Sequence, residues 1–258
     1  MTPTTVSLIV SLARTLRLHP RYFSHLIHKK VSFFRRCRWA EKNCSRDLRA
    51  PLPVVFKFHL TWACNLHCPM CMVHGKTGWA TQKLVALDTE LDPAIIDKVI
   101  AQTAGGHRSF VFSGGEPLLH SRFSHLLHTV RAKRIFTTIC TNGFFLDRHV
   151  SSIIGNPYAS FLVSLDGLQE ENDRIRGEGA YRKVFAVMRE LLGRPRRPYV
   201  GVQFTVLPHN VYRMYDFCSA MVRAGVDWVL LNLCWFVTDE EAQRYGEYLA
   251  QGHKARAW

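Results

Sequence analysis

The chain has 258 residues, 47% of them hydrophobic, and a formal net charge of +14. That length and apolar content suit one large core. No apolar run approaches the ~18 to 20 residues that span a bilayer. The apolar run at 6–10 is short and Arg14 and Arg17 interrupt the stretch after it, which excludes a transmembrane helix and a good secretory signal.

Residues 1–50 hold eleven Lys or Arg against only Glu41 and Asp47, so +9 of the net charge sits in the first fifth of the chain. Such asymmetry points to an anionic partner at residues 1–50: RNA, an acidic peptide or a membrane surface. A solvated basic face has the same composition. Apolar residues recur at helical spacing over 4–18 and again after Pro20, at Phe23, Leu26, Ile27, Val31 and Phe34, which predicts two amphipathic helices. The second has the composition of an interfacial helix; a helix packed on the main domain needs the same pattern. Cys37 and Cys44 lack His or carboxylate support and read as free thiols. Pro51 and Pro53 mark a boundary between a basic helical extension, 1–50, and the main domain, 51–258.

Strand and helix then alternate. Strands are expected at 53–60, 109–113, 135–140, 159–165, 201–207 and 227–233. Helices are expected from Asp92 and Pro93 to Gly105, at 118–133, at 181–192, at 211–224 with Asn210 as cap and Gly225 as stop, and from Thr238 to about Gln251. Six βα units in strict order predict an α/β fold, a parallel sheet with helices outside.

The first strand runs into Thr61-Trp62-Ala63-Cys64-Asn65-Leu66-His67-Cys68-Pro69-Met70-Cys71, three cysteines in a CxxxCxxC pattern. Eight cysteines with one tight cluster read as a reducing compartment, by default the cytoplasm, with a peripheral membrane position allowed by the basic start. Soft thiolates select zinc, copper(I) or an iron-sulfur cluster. A structural zinc or an electron-transfer cluster uses four protein ligands, so three imply a distant fourth or an open metal position. His67 or His74 is the nominee for a zinc site, although neither gives a recognised zinc spacing.

With Gly114-Gly115-Glu116-Pro117, Thr141-Asn142-Gly143 and Ser164-Leu165-Asp166-Gly167 following in order, the chain resembles the radical S-adenosylmethionine (radical SAM) superfamily over residues 53–252. In motif style it is nearest the branch of molybdenum-cofactor, haem, sulfatase-maturase and peptide-maturation enzymes. The resemblance implies a partial, six-stranded TIM-like barrel. It implies that Cys64, Cys68 and Cys71 ligate three irons of one 4Fe-4S cluster, with S-adenosylmethionine on the fourth. An electron from a donor such as flavodoxin or ferredoxin then cleaves the sulfonium, and a 5′-deoxyadenosyl radical takes hydrogen from a peptide or small metabolite. It places Met70 near the adenine, where the family usually has an aromatic residue. The Gly114-Gly115 backbone and Glu116 meet the methionyl ammonium, Asn142 lies near cofactor or substrate, and Ser164 and Arg176 hold the ribose and carboxylate. The cysteine-rich C-terminal domain of larger relatives is expected to be absent, because only Cys218 and Cys234 come after the barrel midpoint.

Other readings stand beside these. Asp173, Arg174 and Arg176 have the spacing of a surface ion-pair cluster, and Asp166 reads as a turn residue. Gln203 and Thr205 fall on one side of their strand, and Trp62, Trp79 and His120 are candidates to reach substrate. The function alternatives are an RNA-modifying member of the superfamily, and a non-catalytic barrel or accessory protein that binds the cluster without turnover.

Overall fold

The computed structural model describes residues 16–43, 53–103 and 108–233. Its centre is a six-stranded parallel sheet in sequential order: β1 (Val55–His59), β2 (Ser109–Ser113), β3 (Phe136–Thr141), β4 (Ala159–Ser164), β5 (Tyr199–Val206) and β6 (Trp228–Leu233). Each strand pairs with the next, from Val55 opposite Ser109 to Val206 opposite Leu233, and no pairing joins β6 to β1 among the described residues. The result is the α/β partial barrel that the alternation predicts. Strands covered on both faces read as nearly continuous apolar runs. Ser-Phe-Val-Phe-Ser in β2 and Ala-Ser-Phe-Leu-Val-Ser in β4 fit that rule, with Phe110, Phe112 and Phe161 fully buried.

Helix α1 (Pro20–Asn43) precedes the barrel. Then come α2 (Pro93–Gln102), α3 (Phe123–Ala132), the short α4 (Val150–Ile153), α5 (Gln169–Arg176), α6 (Ala180–Leu192) and α7 (Met214–Ala224). Asp92 caps α2 by accepting the Ala94 N–H at 2.9 Å, with Pro93 at its first position. Helix α6 buries Val184, Met188 and Leu191, a stripe at helical spacing, against the sheet.

Several expectations need correction. The helix expected over 118–133 is broken: Pro117–Leu119 forms a 3-10 turn and α3 starts only at Phe123. The Glu116 carboxylate takes the Leu118 N–H and the His120 ring takes the Arg122 N–H, which holds the chain out of a continuous helix. Asn210 does not cap the next helix. Its side chain turns inward, accepting from Leu207 N and donating to the carbonyls of Asp166 and Thr205. A 3-10 turn at Val211–Arg213 precedes α7. Helices α4 and α5 were not expected. Cys44, Cys234 and the helix expected at 238–251 lie outside the described residues, as does most of the helix expected at 4–18.

The first turns of α1 close the amino end of the barrel. The Tyr22 ring stacks on Tyr199 with centroids 4.1 Å apart, and His25 stacks on Phe136 at 4.2 Å. The Tyr22 hydroxyl reaches Thr138 and Ser160 on β3 and β4, and burial pushes its pKa up. Just outside β5 and β6, Arg197 forms a two-pronged pair with Asp227 at 2.5 and 2.7 Å. Burial would raise the Asp227 pKa, but the Arg197 fork and the Val200 N–H hold it below the usual carboxylate range. With the amino end closed, the carboxyl edge of the strands is left for chemistry, as in barrel enzymes generally.

Candidate active site

The cysteine loop leaves the carboxyl end of β1 and lies directly on the turn after β2. Leu60 donates to the Ser113 carbonyl at 2.8 Å, and the ladder continues beyond both strands through Gly115 N to Thr61 O and Glu116 N to Ala63 O, each 2.7 Å. This contact explains both glycines. A Cβ on Gly114 would stand 2.3 Å from the Thr61 carbonyl oxygen, and one on Gly115 2.3 Å from that of Ala63. Gly114 also has φ +144°, which side chains rarely adopt. Here the glycines admit the cysteine loop itself.

Within the loop the three sulfurs have different surroundings. Cys68 is buried, and Cys64 and Cys71 are partly buried. Cys64 Sγ accepts from Leu66 N at 3.4 Å and Cys71 Sγ from His74 N at 3.4 Å. Two side chains from elsewhere in the barrel also reach the sulfurs. Asn142 Nδ2, just past β3, is 3.8 Å from Cys64 Sγ and 2.9 Å from Asn65 Oδ1, while Arg176 Nη1, at the end of α5, is 3.9 Å from Cys68 Sγ. Burial pushes the Cys64 thiol up to about 11, with the neighbouring charges of Glu116, Cys68 and Cys71 adding to it. Burial also raises Cys68, against the pull of Arg176.

Arg176 is nearly buried, with its side chain 9% exposed, and its partner Asp166 is fully buried. Nε and Nη2 meet Asp166 Oδ2 at 2.8 and 2.7 Å. Burial alone would lower the guanidinium pKa, but Asp166 and the thiols raise it. Asp166 Oδ1 accepts from Thr205 N at 2.7 Å, its N–H donates to Asn172 Oδ1, and its carbonyl accepts from Asn210. The aspartate therefore ties the end of β4 to β5 and to α5 while it aims the arginine. The surface ion-pair reading of Arg176 fails: Arg174 pairs with exposed Glu170, and Asp173 accepts the N–H groups of Gly179 and Tyr181. Asp166 is correspondingly more than a turn residue.

Glu116 is fully buried. Its Oε1 accepts from Leu118 N and from the Thr141 hydroxyl at 2.6 Å, and Oε2 accepts from Asn142 N at 2.7 Å. Burial pushes its carboxyl up to about 7, against those three bonds and the charge of Arg176. The side chain thus joins the β2 turn to the β3 turn, and only one acceptor position, on Oε2, remains open to a ligand. Ser164 ends β4 opposite Gln203, half-buried, and its hydroxyl has no protein partner among the described residues. Met70 is partly buried between Cys68 and Cys71. A cavity of about 390 Å³ opens between the cysteine loop and α5, lined by Asn65, Leu66, Phe144 and Arg176 among others. It brings Arg176 to the cysteine loop, whereas Met70, Gly114, Gly115, Glu116 and Ser164 do not line it.

Sequence reasoning missed His74 as a support. It is buried and its Nε2 lies 2.8 Å from the Trp62 carbonyl, clamping the chain after Cys71 to the chain before Cys64. His67 is exposed. His120 is no substrate contact: it is buried, with Nε2 on the Leu91 carbonyl and Nδ1 on Arg122 N. Trp62 and Trp79 pack edge to face with centroids 6.1 Å apart. Thr205 is buried beside the Asp166 network and Gln203 is half-buried.

The donor set fits an iron-sulfur cluster. Among the described residues no three His, Cys, Asp or Glu side chains are grouped to hold one ion. A cluster asks for spread thiolates, each on a different iron, and for N–H groups at the sulfurs.

A partial α/β barrel with three unpaired thiols on the loop after its first strand, facing a Gly-Gly-Glu turn, defines a class of cluster-binding barrels. The chain belongs to the radical SAM superfamily, whose family model matches residues 59–216. Members of that family use a 4Fe-4S cluster and S-adenosylmethionine. The chain is 33% identical over 162 residues to the Fe-coproporphyrin III synthase of Methanosarcina barkeri, covering 62% of this chain and 38% of that protein. It is 34% identical over 140 residues to the GTP 3′,8-cyclase of Chlorobaculum tepidum, covering 53% and 40%. The match thus spans about two fifths of the length of these curated relatives. Among solved structures, SuiB of Streptococcus suis bound to S-adenosylmethionine superposes with TM-score 0.62 at 15% identity, covering 86% of this chain and 52% of that one. SuiB bound to the precursor peptide SuiA gives 0.56 at 16% identity, covering 78% and 46%. These likenesses carry the fold.

Proposed function

We propose that the chain is a radical SAM enzyme that begins its reaction by taking a hydrogen atom from a peptide or small-metabolite substrate. The observation that carries this reading is the cysteine loop seated on the Gly114-Gly115 turn, with protein N–H groups directed at its sulfurs. When bound, the cluster and S-adenosylmethionine together supply a one-electron cleavage of the sulfonium and an adenosyl radical able to abstract hydrogen.

The chain's own residues hold and tune that chemistry. Cys64, Cys68 and Cys71 give up their thiol protons to ligate iron, leaving one iron without a protein ligand. Asn142 and Arg176 donate toward Cys64 and Cys68, and N–H groups at sulfur stabilise added negative charge on a cluster. The Ser164 hydroxyl, the carbonyls of the Gly114-Gly115 turn and the open position on Glu116 are the polar groups offered to the methionyl and ribose parts of the cofactor. Met70 supplies a polarizable surface for the adenine. Arg176, already paired with Asp166, keeps Nη1 for the carboxylate end or for Cys68. A peptide substrate is supported by the likeness to SuiB, solved with a precursor peptide. A small metabolite is supported by the names of the two curated relatives. The electron comes from a one-electron donor such as flavodoxin or ferredoxin, and the basic extension meets an anionic partner.

The test is anaerobic reconstitution with iron and sulfide, then addition of S-adenosylmethionine and dithionite, with 5′-deoxyadenosine measured beside a Cys68→Ala control. The intact chain is expected to form it and the control to form none. A loaded cluster that yields no 5′-deoxyadenosine would favour the non-catalytic, accessory reading.

A further inference from the structure

Among the described residues, the stacking contacts that fasten helix α1 to the barrel lie near its start. The helix nevertheless continues for 24 residues, about 36 Å at 1.5 Å per residue. Beyond His25 its large apolar side chains face outward: Leu26 is 37% exposed, Ile27 49%, Val31 51%, Phe33 60% and Phe34 56%. At 100° per residue these five, with Phe23 and Cys37, gather in an arc of roughly 160°. Contiguous exposed apolar surface of this kind marks a contact site.

Charge says what kind. No Asp or Glu occurs in residues 1–40, and seven Lys or Arg fall within 16–39. Arg21, Lys29 and Arg35 lie away from the apolar arc, and Lys30 and Arg38 fall within it or at its border. A basic helix whose other face carries Phe, Leu, Ile and Val combines the two features that hold a helix in the plane of a lipid interface: apolar burial at the acyl boundary and attraction to anionic headgroups. An acidic protein surface would use the cations but leave the apolar arc wet, and nucleic acid has no use for the aliphatic side chains. Among the described residues no helix is long and apolar enough to cross a membrane, so the contact is with a surface.

We infer that the exposed face of α1 docks the protein on an anionic lipid bilayer, with Phe33 and Phe34 inserted and the basic side chains on the headgroup phosphates. The contact involves neither the cluster nor the cofactor, so it stands apart from the proposed catalysis.

The test is co-sedimentation of the full chain with vesicles of phosphatidylcholine alone and of phosphatidylcholine mixed with phosphatidylglycerol, at low and high salt. The protein is expected to bind the anionic vesicles at least tenfold more tightly than the neutral ones, and less tightly as salt rises. A Phe33→Ser/Phe34→Ser variant is expected to lose at least tenfold in affinity for the anionic vesicles. Arg35→Gln/Arg38→Gln is expected to weaken binding and flatten its salt dependence. These positions are exposed, so circular dichroism and thermal unfolding should match the parent. Cys68→Ala should bind as the parent does, which separates this outcome from any failure of the radical chemistry. Absence of binding to anionic vesicles would overturn the inference, as would equal binding by the Phe33/Phe34 variant. So would a dimer in light scattering that the same variant dissociates, since that would assign the face to a second copy.

Discussion

Asp166→Ala is expected to destabilise the protein by about 3–5 kcal/mol, because it strands a guanidinium with no partner in the barrel interior. For a chain of this size that lowers the melting temperature by about 10 °C. Arg176 has lost nearly all its contact with water, and Asp166 takes two of its N–H groups. The same substitution also leaves the Thr205 N–H without its acceptor. Thermal or urea unfolding of the cluster-free chain measures the loss. The double variant Asp166→Ala/Arg176→Met removes both charges together, so it should be more stable than the single variant, although below the parent because Thr205 stays unsatisfied. Equal stability of the single and double variants would show that the pair carries none of the effect.

Gly115→Ala should leave the barrel folded but cut the iron bound after reconstitution several-fold. Its Cβ would meet the Ala63 carbonyl at 2.3 Å and the Trp62 carbonyl at 2.6 Å. Both are main chain and neither can swing aside, so the cysteine loop has to move off the β2 turn. Overpacking of this kind costs about 1–3 kcal/mol, which a chain with its own large core tolerates. Metal ligation is less forgiving, since distances must hold to about 0.2 Å. Gly193→Ala is the control, because a Cβ there finds nothing nearer than the Arg189 carbonyl at 3.5 Å. Iron and sulfide counts after desalting read the outcome. Parent-like iron content in Gly115→Ala would mean that the cysteine loop does not depend on this contact.

The sheet was legible because strands covered on both faces announce themselves as apolar runs, and all six stand within a few residues of their expected places. Helix α5 was not. Only Asn172 and Ile175 are buried in it, so it has no apolar stripe, and it is held by Asp166, Asn172 and the carboxylate of Asp173. Asn210 before a helix has the look of a cap, yet its amide serves backbone carbonyls across the barrel. The cysteine trio was legible from spacing alone. Asp166 was hidden because Asp-Gly after a strand suggests a turn, and nothing local reveals that a guanidinium ten residues on will close over it. Glu116 illustrates the same limit. The motif placed it at the site, but its burial and its bonds to Thr141 and Asn142 depend on β3 lying beside β2.

The central claim is that Cys64, Cys68 and Cys71 hold a cluster with one iron open to S-adenosylmethionine. The most direct measurement is electron paramagnetic resonance of the reconstituted, dithionite-reduced chain before and after the cofactor is added. A reduced-cluster signal that changes on addition, and is missing when Cys68 is alanine, is the predicted result. A signal indifferent to S-adenosylmethionine, or an equal one from Cys68→Ala, would contradict the account.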